Sequence, residues 1–351
     1  MMMAVVMSQS STLHGVELAF LYGAMLYALN AHSEAGATFN LSVSIARNIA
    51  GKCNSGDFIV AILAQVIGVV FGAGLGIYLR ENELDVIIHG NLENTAEMTA
   101  TQFISGFLFS FLMCLVGSSA SSELTISYPI AMMASIITGG MVSYHWKPFT
   151  AYNPLAEIMF YRPDTFFTIL LKVISYLAGG ILAGYYSLFM ASCDRERDDF
   201  LIRWSDISEN NEQSSNFDYK SWLAGVSVEG FGSFYITLVF ALANQDTWAI
   251  AVGGVIVALT YLSMGGYFNP AITLAFYIQD RNCFHPTMST LSMISYILSQ
   301  LLFAIAAAWI ALWMGHGDIR VPSVSPFNCS NTPLFSDKSL TTSCILQDAF
   351  I

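Results

Sequence analysis

Eight stretches of about twenty apolar residues dominate this chain, at roughly 14–33, 57–80, 96–117, 123–142, 165–190, 220–243, 247–264 and 288–314. A helix rises 1.5 Å per residue, so about 20 residues cross a hydrocarbon core of about 30 Å. In that solvent only helices or closed barrels satisfy their own backbone, and runs of this length select helices. The chain therefore reads as all-α, a polytopic membrane helix bundle with about eight transmembrane helices. Gly68, Gly72, Gly74 and Gly76 in the second window, and Gly179, Gly180 and Gly184 in the fifth, predict close helix–helix contact.

Composition supports this reading. Charged residues make up 11% of the 351 and the mean hydropathy is +0.57. That leaves too little charge to cover a soluble enzyme. Thirteen Lys and Arg against 25 Asp and Glu offer no basic face for nucleic acid. The six Cys show neither CxxC spacing nor pairing with His, so no zinc site is expected. The start, MMMAVVMSQSSTLH, has no positive n-region and no cleavage-like site, and reads as the approach to a structural helix.

Polar insertions divide the chain into five parts. These are 1–80, 96–190, a charged linker at 191–218, 219–315, and a polar tail at 316–351 that holds Pro322, Pro326 and Pro333. Five spans precede the linker and three follow it, which puts both termini on the side opposite to it. With the linker cytosolic, seven cations lie inside (Arg47, Lys52, Arg195, Arg197, Arg203, Lys220, Arg281). Five lie outside (Arg80, Lys147, Arg162, Arg320, Lys338). The sequon at Asn328 and a possible Cys329–Cys344 pair agree with an outside tail. Lys172 falls inside a span and is expected to snorkel to the interface.

A repeat lies within these parts. Residues 36–46 read GATFNLSVSIA and residues 265–275 read GGYFNPAITLA. Each follows an apolar span and precedes one with a related string, ILAQ ending at Gln65 and ILSQ ending at Gln300. A third segment, AYNPLAEIMFY, lies at 151–161. Asn40, Asn153 and Asn269 thus each head a short apolar run. From Asn269 to Ile278 is about 15 Å of helix, half a bilayer. Asn is a good N-cap, and Pro154 and Pro270 suit the first helical position. Half-length helices between full spans predict re-entrant segments. Their N-terminal ends carry partial positive charge and offer amide donors at membrane depth.

These segments resemble the aquaporin or major intrinsic protein family, whose members have two halves, each with three spans and one half-helix headed by an Asn-Pro-Ala box. Asn269-Pro270-Ala271 is similar to an intact first-half box. Asn153-Pro154-Leu155 resembles a second-half box, and Asn40-Leu41-Ser42 a decayed first-half box. The span around Glu229 resembles the family's first helix, whose acid steadies the box loop; Gln102 holds the matching place in a fourth helix. The resemblance thus implies a partial first half (1–80), a second half (96–190) and a complete first half (219–315). One second half can close a pore with only one first half. Completeness favours 96–315, joining Asn153 to Asn269. The alternative, 14–190, would need a first helix from elsewhere, such as 220–243.

The resemblance implies a passive channel for water or small neutral solutes such as glycerol. The family's filter Arg would fall at Ala156, followed by Glu157, and its aromatic position at Phe20 or Ala249; a wider mouth is expected. No nucleophile, base or metal cluster accompanies the boxes, so neither catalysis nor a cofactor is expected. His32, His145, His285 and His316 are scattered near span ends. Expected partners are the lipid bilayer and the solute, with a tetramer implied by resemblance or a larger membrane complex. A structural subunit on a decayed channel scaffold is the alternative. A gradient-driven transporter is weaker, because the acids within the spans form no coupled set.

Overall fold

The computed structural model describes residues 23–25, 27–28, 38–79, 96–119, 127–143, 153–155, 158, 166–207, 219–243, 248–263, 266–281 and 288–314. They form helices. The first group is α1 (Leu41–Ile49), α2 (Ser55–Leu79), α3 (Ala96–Ser119), α4 (Ser127–Ser143) and α5 (Phe166–Ile207). The second group is α6 (Tyr219–Leu242), α7 (Trp248–Ser263), α8 (Pro270–Arg281) and α9 (Thr290–Met314). Five helices are long and apolar enough to cross a membrane, and α4 and α7 are shorter apolar helices. The protein is an integral, multi-pass membrane protein with an all-α bundle. The span at 14–33 falls almost wholly outside the described residues.

The helices differ in what they meet. α2 carries Val60 and Phe71, both about two-thirds exposed (66% and 67%), as suits a face turned to lipid. α3 is enclosed: Leu112, Cys114 and Val116 are fully buried. It packs along α5 through glycines. A Cβ added at Gly179 would lie 2.7 Å from the Phe107 carbonyl oxygen, and one at Gly106 would lie 2.7 Å from the Tyr176 ring. α6 packs along α9 in the same way, with Gly230 against Ser299 and Phe303. Small residues at the crossing let backbones approach, which is how helices associate without a hydrophobic driving force.

Two blocks result, and they touch side by side. α4 meets α7, where Thr138 Oγ1 donates to the Ala251 carbonyl (3.1 Å) across the space left by Gly254. α6 meets α3 and α5. There Phe231 stacks edge-on against Tyr186 (5.2 Å between centroids), and the Tyr235 hydroxyl donates to the Leu108 carbonyl (2.7 Å).

Three expectations are corrected. The region 191–218 is not all loop: α5 runs on to Ile207. Residues 191–207 contain no Gly or Pro, so no strong helix breaker stands where the apolar run stops. Lys172 does not snorkel: it is 3% exposed. It shares its helix face with Ser175 and Tyr176, the residues against Gly106 of α3. Arg47 does not lie in a loop but is buried in the last turn of α1, where a cation suits the carbonyl end of a helix.

Two outcomes follow. Cys193 is buried, so sidedness is best read with introduced thiols. Asn210→Cys and Ser339→Cys should react with a membrane-impermeant maleimide from opposite faces; reaction from one face would reject the five-plus-three arrangement. Gly179→Leu should prevent α3 and α5 from closing and cost more than about 2 kcal/mol, the scale of overpacking a tight core. A fall in melting temperature of the detergent-purified protein would show it.

Candidate functional site

The three Asn residues act first as helix caps. Asn40 Oδ1 accepts from Ser42 N (2.9 Å), Asn153 Oδ1 from Leu155 N (3.1 Å) and Asn269 Oδ1 from Ala271 N (2.9 Å). Each cap satisfies a donor that a helix start leaves orphaned. The half-helix at Asn269, expected to reach Ile278, extends to Arg281.

The two first-half loops are built alike, atom for atom. The residue before each Asn has positive φ, Phe39 at 40° and Phe268 at 53°. Four residues after each Asn a hydroxyl donates to the Asn carbonyl. Ser44 Oγ does so at 3.2 Å and Thr273 Oγ1 at 3.0 Å. A glutamine from the next span then donates to that hydroxyl, Gln65 to Ser44 and Gln300 to Thr273, both at 2.8 Å. The repeated ILAQ and ILSQ strings are thus the braces of the two loops. The hydroxyl at the fourth position was the overlooked signal, visible as Ser44 and Thr273 in the aligned segments.

Glu229, 3% exposed, anchors the second loop. Its carboxylate accepts from Tyr267 N (2.8 Å), Phe268 N (2.6 Å) and Gln300 Nε2 (2.8 Å). Bonds to a charged group contribute about 1.5–3 kcal/mol each. Gly232, one turn on, leaves the space that the Phe268 ring fills, and Ser233 Oγ donates to the Phe268 carbonyl (2.9 Å). α6 therefore serves the loop of its own block and does not stand in as the first helix of residues 14–190. Gln102, the matching residue of α3, is buried, and neither end of its amide has a hydrogen-bond partner among the described residues. The residues just before Asn153 lie outside the described set.

The boxes do not pair as completeness suggested. Asn153 Nδ2 donates to the Phe39 carbonyl (3.2 Å), which sets it beside Asn40, not Asn269. Asn40 is 5% exposed and Asn153 is 6% exposed, and Asn40 Nδ2 points at Met113 Sδ of α3 (3.8 Å). Asn269 and Ala271 are exposed. Packing decides this. α1 lies in a trough of α3 and α5, where a Cβ at Gly180 would fall 2.7 Å from the Ser42 carbonyl and one at Gly184 2.8 Å from that of Ala46. Gly117 of α3 makes room for Val43 in the same way. α8 packs mainly on α9, its own next span.

The remaining expected residues are placed as follows. Pro154 is buried and Pro270 half-buried, each just after its Asn cap. Ala249 is exposed in the first turn of α7. Phe20, Ala156 and Glu157 lie outside the described residues, as do the four histidines and the Cys329–Cys344 pair. No cluster of metal-binding side chains occurs among the described residues. What the site offers is two amides capping facing helix starts, and amide N–H groups there can donate to a polar solute.

A search of curated proteins finds no match, and neither does a search of solved structures. Residues 220–335 match the model described as "Major intrinsic protein". That stretch covers α6 to α9, with the Glu229-braced loop and the intact box, and over it the chain is similar to the major intrinsic protein family.

Proposed function

We propose that the protein is a passive channel and that its pore runs through the first block, between the helix starts at Asn40 and Asn153. A channel for water or small solutes is what the family match supports in general. The observation that carries the finer reading is the Asn153 Nδ2 to Phe39 carbonyl bond, which brings two half-helix starts together in a buried place. Each start carries about half a positive charge. Two of them facing one another disfavour cations and favour a neutral solute with oxygen lone pairs. The amides of Asn40 and Asn153 supply donors to a molecule that has shed its water. With Ala156 where the family's filter has Arg, the mouth lacks a cation and passes glycerol-sized solutes as well as water.

The second reading is a structural membrane subunit. The exposed box at Asn269 favours it, since among the described residues of that half no half-helix faces it. Flux separates the two readings. Proteoliposomes carrying the protein should swell faster than empty ones in a glycerol gradient; no difference for water, glycerol or urea would favour the structural reading.

Mutations assign the path. Asn40→Leu or Asn153→Leu should lower flux at least tenfold, because each replaces a donor with an apolar group at the meeting point. Asn269→Leu should leave flux within twofold of the original. The opposite pattern would mean that 96–315 makes the pore. Passage of water with exclusion of glycerol would show that residues other than Ala156 narrow the mouth.

A further inference from the structure

We propose that α8 is a docking surface for a second-half membrane segment equivalent to residues 96–193 that lies outside these 351 residues. The argument starts from α1, which shows how this kind of half-helix is covered. Position for position, Ser42 corresponds to Ala271, Val43 to Ile272, Ala46 to Ala275 and Arg47 to Phe276. On α1 all four are buried, Ser42, Val43 and Ala46 fully. On α8 all four are exposed, Ile272 by 44% and Phe276 by 48%. The one face that is covered in both is the hydroxyl face, Ser44 and Thr273, turned to the glutamine of the next span. The caps, the hydroxyls and the glutamine braces correspond, and Glu229 adds a further hold on the second loop, so what α8 lacks is the neighbour that α1 has.

The missing neighbour can be specified. What covers α1 is α3 with Gly117, α5 with Gly180 and Gly184, and Asn153 on the loop carbonyl. Ala271 and Ala275 are as small as Ser42 and Ala46, so the close approach that those glycines allow remains open on α8. A lipid chain is a poor substitute, because Asn269 would present its amide to hydrocarbon, at a cost of roughly 2–7 kcal/mol when unbonded. Further copies of this chain do not supply the neighbour either. Each copy brings two half-helices of this kind and one second-half segment, which α1 already fills. The occupant is therefore a second-half segment of the same form outside these 351 residues: two spans, an Asn-Pro half-helix, and a last span with two glycines four residues apart.

The test appends a second copy of residues 96–193 after Ile351 of the full chain, the tail serving as the loop. A Cβ at Gly117 would lie 3.6 Å from that of Val43, within disulfide range. Val43→Cys with Gly117→Cys in the original segment should form a disulfide and reports that the first block is folded. Ile272→Cys with Gly117→Cys in the appended segment should then form one in comparable yield. Leu274→Cys, on another face of α8, should form at most a tenth as much with the same partner. Absence of the Ile272 disulfide while the Val43 control forms would overturn the proposal, as would equal yields at Ile272 and Leu274. The readout is covalent and needs no flux, so a non-conducting protein would leave this result standing.

Discussion

A helix that starts inside a bilayer leaves backbone N–H groups with no water to bond, and they must find acceptors in the protein. The architecture of this chain follows from that demand. Asn40, Asn153 and Asn269 each give a side-chain oxygen to their own helix start. In the second block a carboxylate goes further: Glu229 crosses from α6 to hold two loop N–H groups and the brace Gln300. The amide nitrogens of the first two Asn residues then reach to the protein around them, Asn40 to Met113 Sδ and Asn153 to the Phe39 carbonyl.

The spans were legible because the bilayer imposes a length, and length survives in sequence as an apolar run. Where α4 and α7 fall short of a full span, the apolar windows still marked them. The end of α5 was not legible, because an apolar window reports where lipid ends and not where the helix ends. The charged residues after Cys193 include no Gly or Pro among their neighbours, and the helix continues through them. The loops were legible as a repeat, down to the two glutamines.

The pairing of the loops was misread for a reason that can be stated. Motif quality is a local property: Asn269-Pro270-Ala271 is the better box, with its acid in place. Pairing is decided elsewhere, by whether a second helix can come within contact of the half-helix. That depends on Gly117, Gly180 and Gly184, far along the chain, meeting Val43, Ser42 and Ala46. Gly180 and Gly184 were visible as part of a stripe and Gly117 was not singled out, and a stripe does not name its partner. The decayed box Asn40-Leu41-Ser42 keeps a small residue, Ser42 for Ala, facing the stripe, and Leu41 stands where the Pro would be, behind an Asn cap that starts the helix.

The contact between the blocks bears on how their roles divide. It runs through α4 with α7, and through α3 and α5 with α6, by an aromatic cluster and single hydrogen bonds from Thr138 and Tyr235. Neither α1 nor α8 takes a main part in it. The surface that joins the blocks is thus separate from the surface on which a half-helix is covered, and one does not compete with the other. The second block is anchored by its α6 and α7 side while its α8 side stays open. Glu229, Gln300, Thr273 and Asn269 form a set of braces and caps there. The bonds that satisfy the loop where water is absent also hold it in one shape, so the loop keeps its form on the side where α8 is exposed.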